Sequence, residues 1–148
     1  MKILLLALGA AAFAQSRPPS DLTELIAKAR VDGQLVSWCR GEFRPGRRRA
    51  YAAAVTSAAA GGRYLVLDAD GTVLVLSPFK GGADLSCYTP AEARKLNESI
   101  RASDTIGGRV APAFSTTVVC GFVDDTNAEC WQYSPAARAF VKIGGWQT

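Results

Sequence analysis

Hydrophobic and polar positions in this chain follow two different periods, and the switches between them mark the elements. Leu22, Leu25, Ile26 and Ala29 recur at helical spacing. Asp21 before them and Glu24 three residues on form a capping-box pattern, and Gly33 marks the stop. A strand is predicted over 34–39. Residues 50–60 are alanine-rich and fit strand or helix equally. Residues 64–67 and 72–76 read as two strands joined at Asp70-Gly71, a dipeptide suited to a hairpin whose turn needs positive φ. Both runs are apolar at consecutive positions, which predicts strands covered on both faces. Next, Thr89, Pro90 and Glu92 supply an N-cap, a first helical residue and a capping box. Ala93, Leu96 and Ile100 then make a narrow helical stripe. Three more strands are predicted at 116–123, 129–133 and 139–143, the last two joined by Ser134-Pro135-Ala136-Ala137. The expected fold is α+β. It is a largely antiparallel sheet of about six or seven strands in two meanders, with an N-terminal helix and one inserted helix.

The first residues stand apart from this pattern. Lys2 precedes an unbroken run of apolar residues and glycine, 3–13, shorter than the roughly 20 residues a bilayer span requires. Ala12-Phe13-Ala14 fits a signal-peptidase site, which predicts a signal peptide over 1–14, a flexible leader over 15–20 and a single domain over 21–148. No transmembrane segment is predicted in the remainder. The expected location is the periplasm or the outside of the cell.

Export changes the reading of the four cysteines, Cys39, Cys87, Cys120 and Cys130. An even count in an oxidising compartment predicts two disulfides, with three connectivities open. A hairpin turning at Asp124-Asp125-Thr126-Asn127 favours Cys120–Cys130, which leaves Cys39–Cys87. Zinc is not supported, because the chain has no C-x-x-C and no histidine. The missing histidine also removes Ser-His-Asp and Cys-His catalysis.

Net charge is +4, concentrated in one place. Residues 40–49, RGEFRPGRRR, carry five arginines and one glutamate, and elsewhere acids and bases nearly cancel. Arg44, Arg47, Arg48 and Arg49 are therefore the candidate binding residues, since guanidinium forks suit phosphate and carboxylate. The aromatic residues Trp38, Trp131, Tyr133 and Trp146 fall in or beside predicted strands and read first as core.

One stretch carries candidate catalytic chemistry. Tyr64 to Leu74, YLVLDADGTVL, resembles the first motif of the haloacid dehalogenase phosphohydrolase superfamily. The resemblance implies Asp68 as nucleophile, Asp70 as acid/base, Mg²⁺ nearby and a parallel, doubly wound sheet. It further implies Asp124-Asp125 as the late acidic motif and Lys80 or Lys95 as the lysine. A hairpin turn at Asp70-Gly71 explains the same letters without chemistry.

The favoured expectation is an exported, non-enzymatic binding protein without a cofactor, possessing a protein or anionic envelope component as partner. Export makes nucleic acid the least favoured partner. The alternatives are an Mg-dependent phosphohydrolase acting through residues 68–72 and a structural subunit that self-assembles through an exposed edge strand.

Overall fold

A computed structural model describes residues 17–102 and 115–147. The expected signal peptide lies outside the described residues. The chain runs α1 (Ser20–Lys28), β1 (Gln34–Gly41), β2 (Ala50–Ser57), β3 (Gly61–Leu67), β4 (Val73–Phe79), β5 (Leu85–Tyr88), α2 (Pro90–Ala102), β6 (Val118–Phe122), β7 (Asn127–Ser134) and β8 (Ala139–Gln147). The α+β class is as expected, but the strands number eight and form two antiparallel sheets, β1-β2-β3-β4 and β5-β6-β7-β8. Two strands account for the difference. β2 is the ambiguous alanine-rich segment, and burial of Ala50 to Ala54 on both faces decides it against alanine's own helical preference. β5 has four residues, too few to show a period.

Side-chain alternation in β2 and β3 separates the layers. Ala50, Ala52, Ala54, Tyr64 and Val66 turn inward and meet Leu85, Val119 and Trp131 from the second sheet. Tyr51, Ala53 and Leu67 turn outward and are covered by Leu22 and Leu25 of α1. On the far side, Ala93 of α2 covers Val118, Cys120, Cys130 and Ile143. The layers therefore run helix, sheet, sheet, helix.

Tyr64 ties the sheets together. Its ring lies 4.5 Å from Phe79 and 5.7 Å from Trp131, and its hydroxyl donates to the Phe122 carbonyl at 2.6 Å. Gly121 admits this ring: a Cβ there would stand 2.8 Å from Tyr64 Cζ. β2 presents only methyl groups, those of Ala50, Ala52 and Ala54, to the inter-sheet space.

Both disulfides have the favoured pairing. Cys120 and Cys130 lie directly opposite in the β6–β7 ladder, with Cα atoms 4.1 Å apart. Cys39–Cys87 joins β1 to β5, closing a 48-residue separation and linking one edge of each sheet. In the chain-entropy view this larger loop contributes about 4 kcal/mol. At the opposite edges lie β4 and β8. β4 was expected to be covered on both faces and is instead an edge strand, with Val75 60% exposed. Its apolar residues partly face solvent, and Pro78 sits where a central ladder would need a donor.

Three local expectations need correction. α1 begins at Ser20, so Asp21 lies within the first turn and not at the N-cap; one carboxylate oxygen accepts the Leu22 N–H at 3.1 Å and the other the Tyr51 hydroxyl at 2.7 Å. α1 also stops before Gly33. Arg30 N–H donates to the Ala27 carbonyl and Val31 N–H to that of Ile26, a Schellman closure with Arg30 at φ 53°. Arg30→Gly removes this strain and is expected to add about 0.5–1 kcal/mol, read as a higher melting temperature. In the β3–β4 turn Gly71 has positive φ and Asp70 does not. Gly71 N–H closes the turn on the Asp68 carbonyl at 2.9 Å, and Asp68 N–H bonds to Thr72. By contrast, the α2 capping box is present with both reciprocal bonds between Thr89 and Glu92.

Candidate functional site

The two candidate sites read separately from the sequence are each other's partners. β1 and β2 are joined by the arginine-rich loop, β3 and β4 by the Asp68–Gly71 turn, and antiparallel pairing brings both to one end of the first sheet. There Arg44 pairs with Asp68 and Arg47 with Asp70.

These pairs differ in kind. Asp68 continues the inward-facing row of Tyr64 and Val66 and is fully buried, while the Arg44 side chain is 18% exposed. One Arg44 Nη reaches one Asp68 oxygen. The buried atoms left without a partner, Arg44 Nε and Asp68 Oδ1, are those that would form the second rung of a side-on fork. The Arg44 guanidinium also lies 5.8 Å from the Tyr133 ring centroid on β7, so this one side chain reaches both sheets. Phe43 beside it is buried in the inter-sheet core. Arg44 and Phe43 thus plug the end of the sandwich.

The second pair is exposed. Arg47 Nη1 and Asp70 Oδ2 are 3.3 Å apart, and each side chain is nearly half exposed, so solvent screens the pair and it contributes little to stability. The Asp70 carboxyl is held below its ordinary value, first by the Thr72 N–H at 2.9 Å and less by the Arg47 charge. Arg48 and Arg49 are exposed and form no ion pair among the described residues. Four candidate arginines therefore reduce to two anchors and two free cations.

The pieces implied by the phosphohydrolase resemblance do not come together. The strand after the motif returns antiparallel, in place of the parallel sheet that the resemblance implies. Asp68 is enclosed by Arg44. Lys80 donates its N–H to the Val123 carbonyl, beside the Asp124-Asp125 turn. That turn and Asp68 are separated by the length of β4, about 20 Å at some 3.3 Å per residue. Lys95 lies on α2, across the second sheet. Among the described residues no group of three or more metal-ligating side chains occurs.

Asp124 instead organises its own turn. It accepts from the Asn127 side-chain amide and from the backbone N–H groups of Thr126 and Asn127, which lower its pKa to about 2. A carboxyl depressed from 3.8 contributes fully above that value, and the contribution is lost as pH falls toward 2. An NMR titration is expected to show the Asp124 carboxyl and the Thr126 and Asn127 amides moving together as pH falls toward 2.

Sequence reasoning missed two participants. Arg40 donates to the Tyr51 hydroxyl at 2.6 Å, and that hydroxyl donates to Asp21, which lowers the Asp21 pKa. Tyr133 was read as core and contributes the aromatic face under Arg44. Neither has a local signal, because both contacts depend on strand register. Trp38 lies edge-on to Tyr51 and Trp131 is buried in the core.

No family model matches the chain, and no curated protein or solved structure matches it. No helix among the described residues is long and apolar enough to cross a membrane.

Proposed function

We propose that this is an exported, non-enzymatic binding protein that engages an anionic partner, a protein or an envelope component, through Arg48 and Arg49. The observation that carries the reading is the division of labour in the loop. Arg44 is fixed by a buried carboxylate and Arg47 is matched by Asp70, which leaves two adjacent, exposed guanidinium groups on an anchored support. Anchoring reduces the ordering cost of binding. The two disulfides support an oxidising compartment.

Pull-down from the native culture tests this, with wild-type bait beside Arg48→Glu/Arg49→Glu, which spares both internal pairs. A partner held by the wild type, released by salt and lost by the variant is expected. Equal capture by both baits removes the loop from the binding surface.

Self-assembly is a second reading, favoured by the exposed Val75 on the uncharged edge strand β4. It requires light scattering to rise with concentration and Val75→Lys to abolish the rise; a strict monomer rejects it.

A further inference from the structure

The same loop has a second chemical character, independent of any partner. Arg47-Arg48-Arg49 is a tribasic run in an exposed connection, and all of residues 45–49 are exposed. Arg48 and Arg49 take part in no turn or loop backbone hydrogen bond among the described residues. Such a segment can enter a protease cleft in extended form with little unfolding. We infer that the Arg48–Arg49 bond is a processing site for an exported trypsin-like or dibasic-specific serine protease. Cleavage there converts the chain into a two-chain form held by Cys39–Cys87.

The structure distinguishes this bond from its neighbours. After Arg44 the next residue is Pro45, whose ring restricts the backbone at the bond to be cut, and Arg44 is held by Asp68. Arg47 is engaged by Asp70. The bond after Arg49 leads into Ala50, which is fully buried and paired with Gly41 in the ladder. Arg48 is thus the cation free to enter a protease pocket, with exposed Arg49 following it. Among the described residues, the exposed cations Lys80 and Arg138 sit in tighter backbone. Lys80 N–H is bonded to Val123, with Gly81 packed against Asp125, and Arg138 has φ 51° in the turn closed on Pro135.

The reaction is hydrolysis. The Arg48–Arg49 C–N bond breaks, water supplies the hydroxyl of the new Arg48 carboxyl group, and Arg49 becomes an amino terminus. The products cannot separate, because Cys39 lies before the cut and Cys87 after it. The β1–β2 ladder from Gln34↔Thr56 to Gly41↔Ala50 holds them as well.

Of the proposed function the inference uses only export, and it is tested without any partner. The mature, oxidised protein is exposed to dilute trypsin and, separately, to a dibasic-specific serine protease. A single early cut is expected, with the larger reduced fragment beginning at Arg49. Non-reducing gels should show one band of uncut size, and reducing gels two fragments. Arg48→Gln/Arg49→Gln should lose this cut while keeping the wild-type melting temperature. A first cut elsewhere, fragments that part without reductant, or a double variant cut as fast as wild type overturns the inference. The anionic-partner reading is untouched by that failure, since binding is measured on the intact chain.

Discussion

Arg44→Ala is expected to destabilise the protein by about 3–5 kcal/mol, because it leaves the Asp68 carboxylate buried without a counter-charge. The effect is asymmetric. Asp68 has no solvent exposure, whereas the Arg44 side chain retains some, so Asp68→Asn should cost less than Arg44→Ala. Replacing both partners by apolar groups of similar size, Arg44→Met with Asp68→Leu, should recover much of the loss. Urea unfolding of the three variants provides the comparison. An Arg44→Ala cost within about 1 kcal/mol would mean that water reaches Asp68 and that the plug is not closed.

Tyr64 carries the second large effect. Tyr64→Ala removes the ring that contacts Phe79 and Trp131 between the sheets, where small β2 side chains leave little material to collapse into the gap. A loss of about 3–5 kcal/mol is expected. Tyr64→Phe keeps the ring and deletes the hydroxyl's bond to the Phe122 carbonyl and its longer contacts with the Asp84 backbone at 3.4 Å, for about 1–2 kcal/mol. Burial already raises the Tyr64 pKa, so the hydroxyl stays protonated and remains a donor through the neutral range. Thermal melts of both variants should preserve this order. Equal losses would place the inter-sheet link in the hydroxyl and not in the ring.

The legible parts of the fold were those whose signal is local. α2 announced itself through Thr89, Pro90 and Glu92, whose contacts span three residues. Cys120 and Cys130 were readable because a hairpin turn lies between them. β2 was not readable, since alanine fits either element and only burial on two sides selects the strand. Asp21 looked like a cap because Tyr51, its actual partner, is 30 residues away. The site failed for the same reason. Asp68 and Arg44 were each noticed, one as a nucleophile and the other as a ligand-binding cation, yet 24 residues separate them. Their pairing follows only from the registers of β1, β2 and β3. An acidic motif and a basic motif in one small domain invite the prior question of whether they neutralise each other.

Among the described residues every strand pair joins strands adjacent in sequence order, so each sheet can form from a continuous stretch of chain. Most of these pairings require only short loop closures; β5 and β6 are the exception, with α2 lying between Tyr88 and Val118. For a chain crossing a membrane N-terminus first, the first sheet can assemble while the second is still in transit. Its inner face, with Tyr64 and Val66, then remains uncovered until Val119 and Trp131 arrive. Oxidation follows the same order of emergence. In an exported chain Cys39 would enter an oxidising compartment as an unpaired thiol and would wait for Cys87, while Cys120 would find its partner one hairpin later. The interval between the two sheets is therefore the period of greatest exposure to aggregation and to mispairing of Cys39.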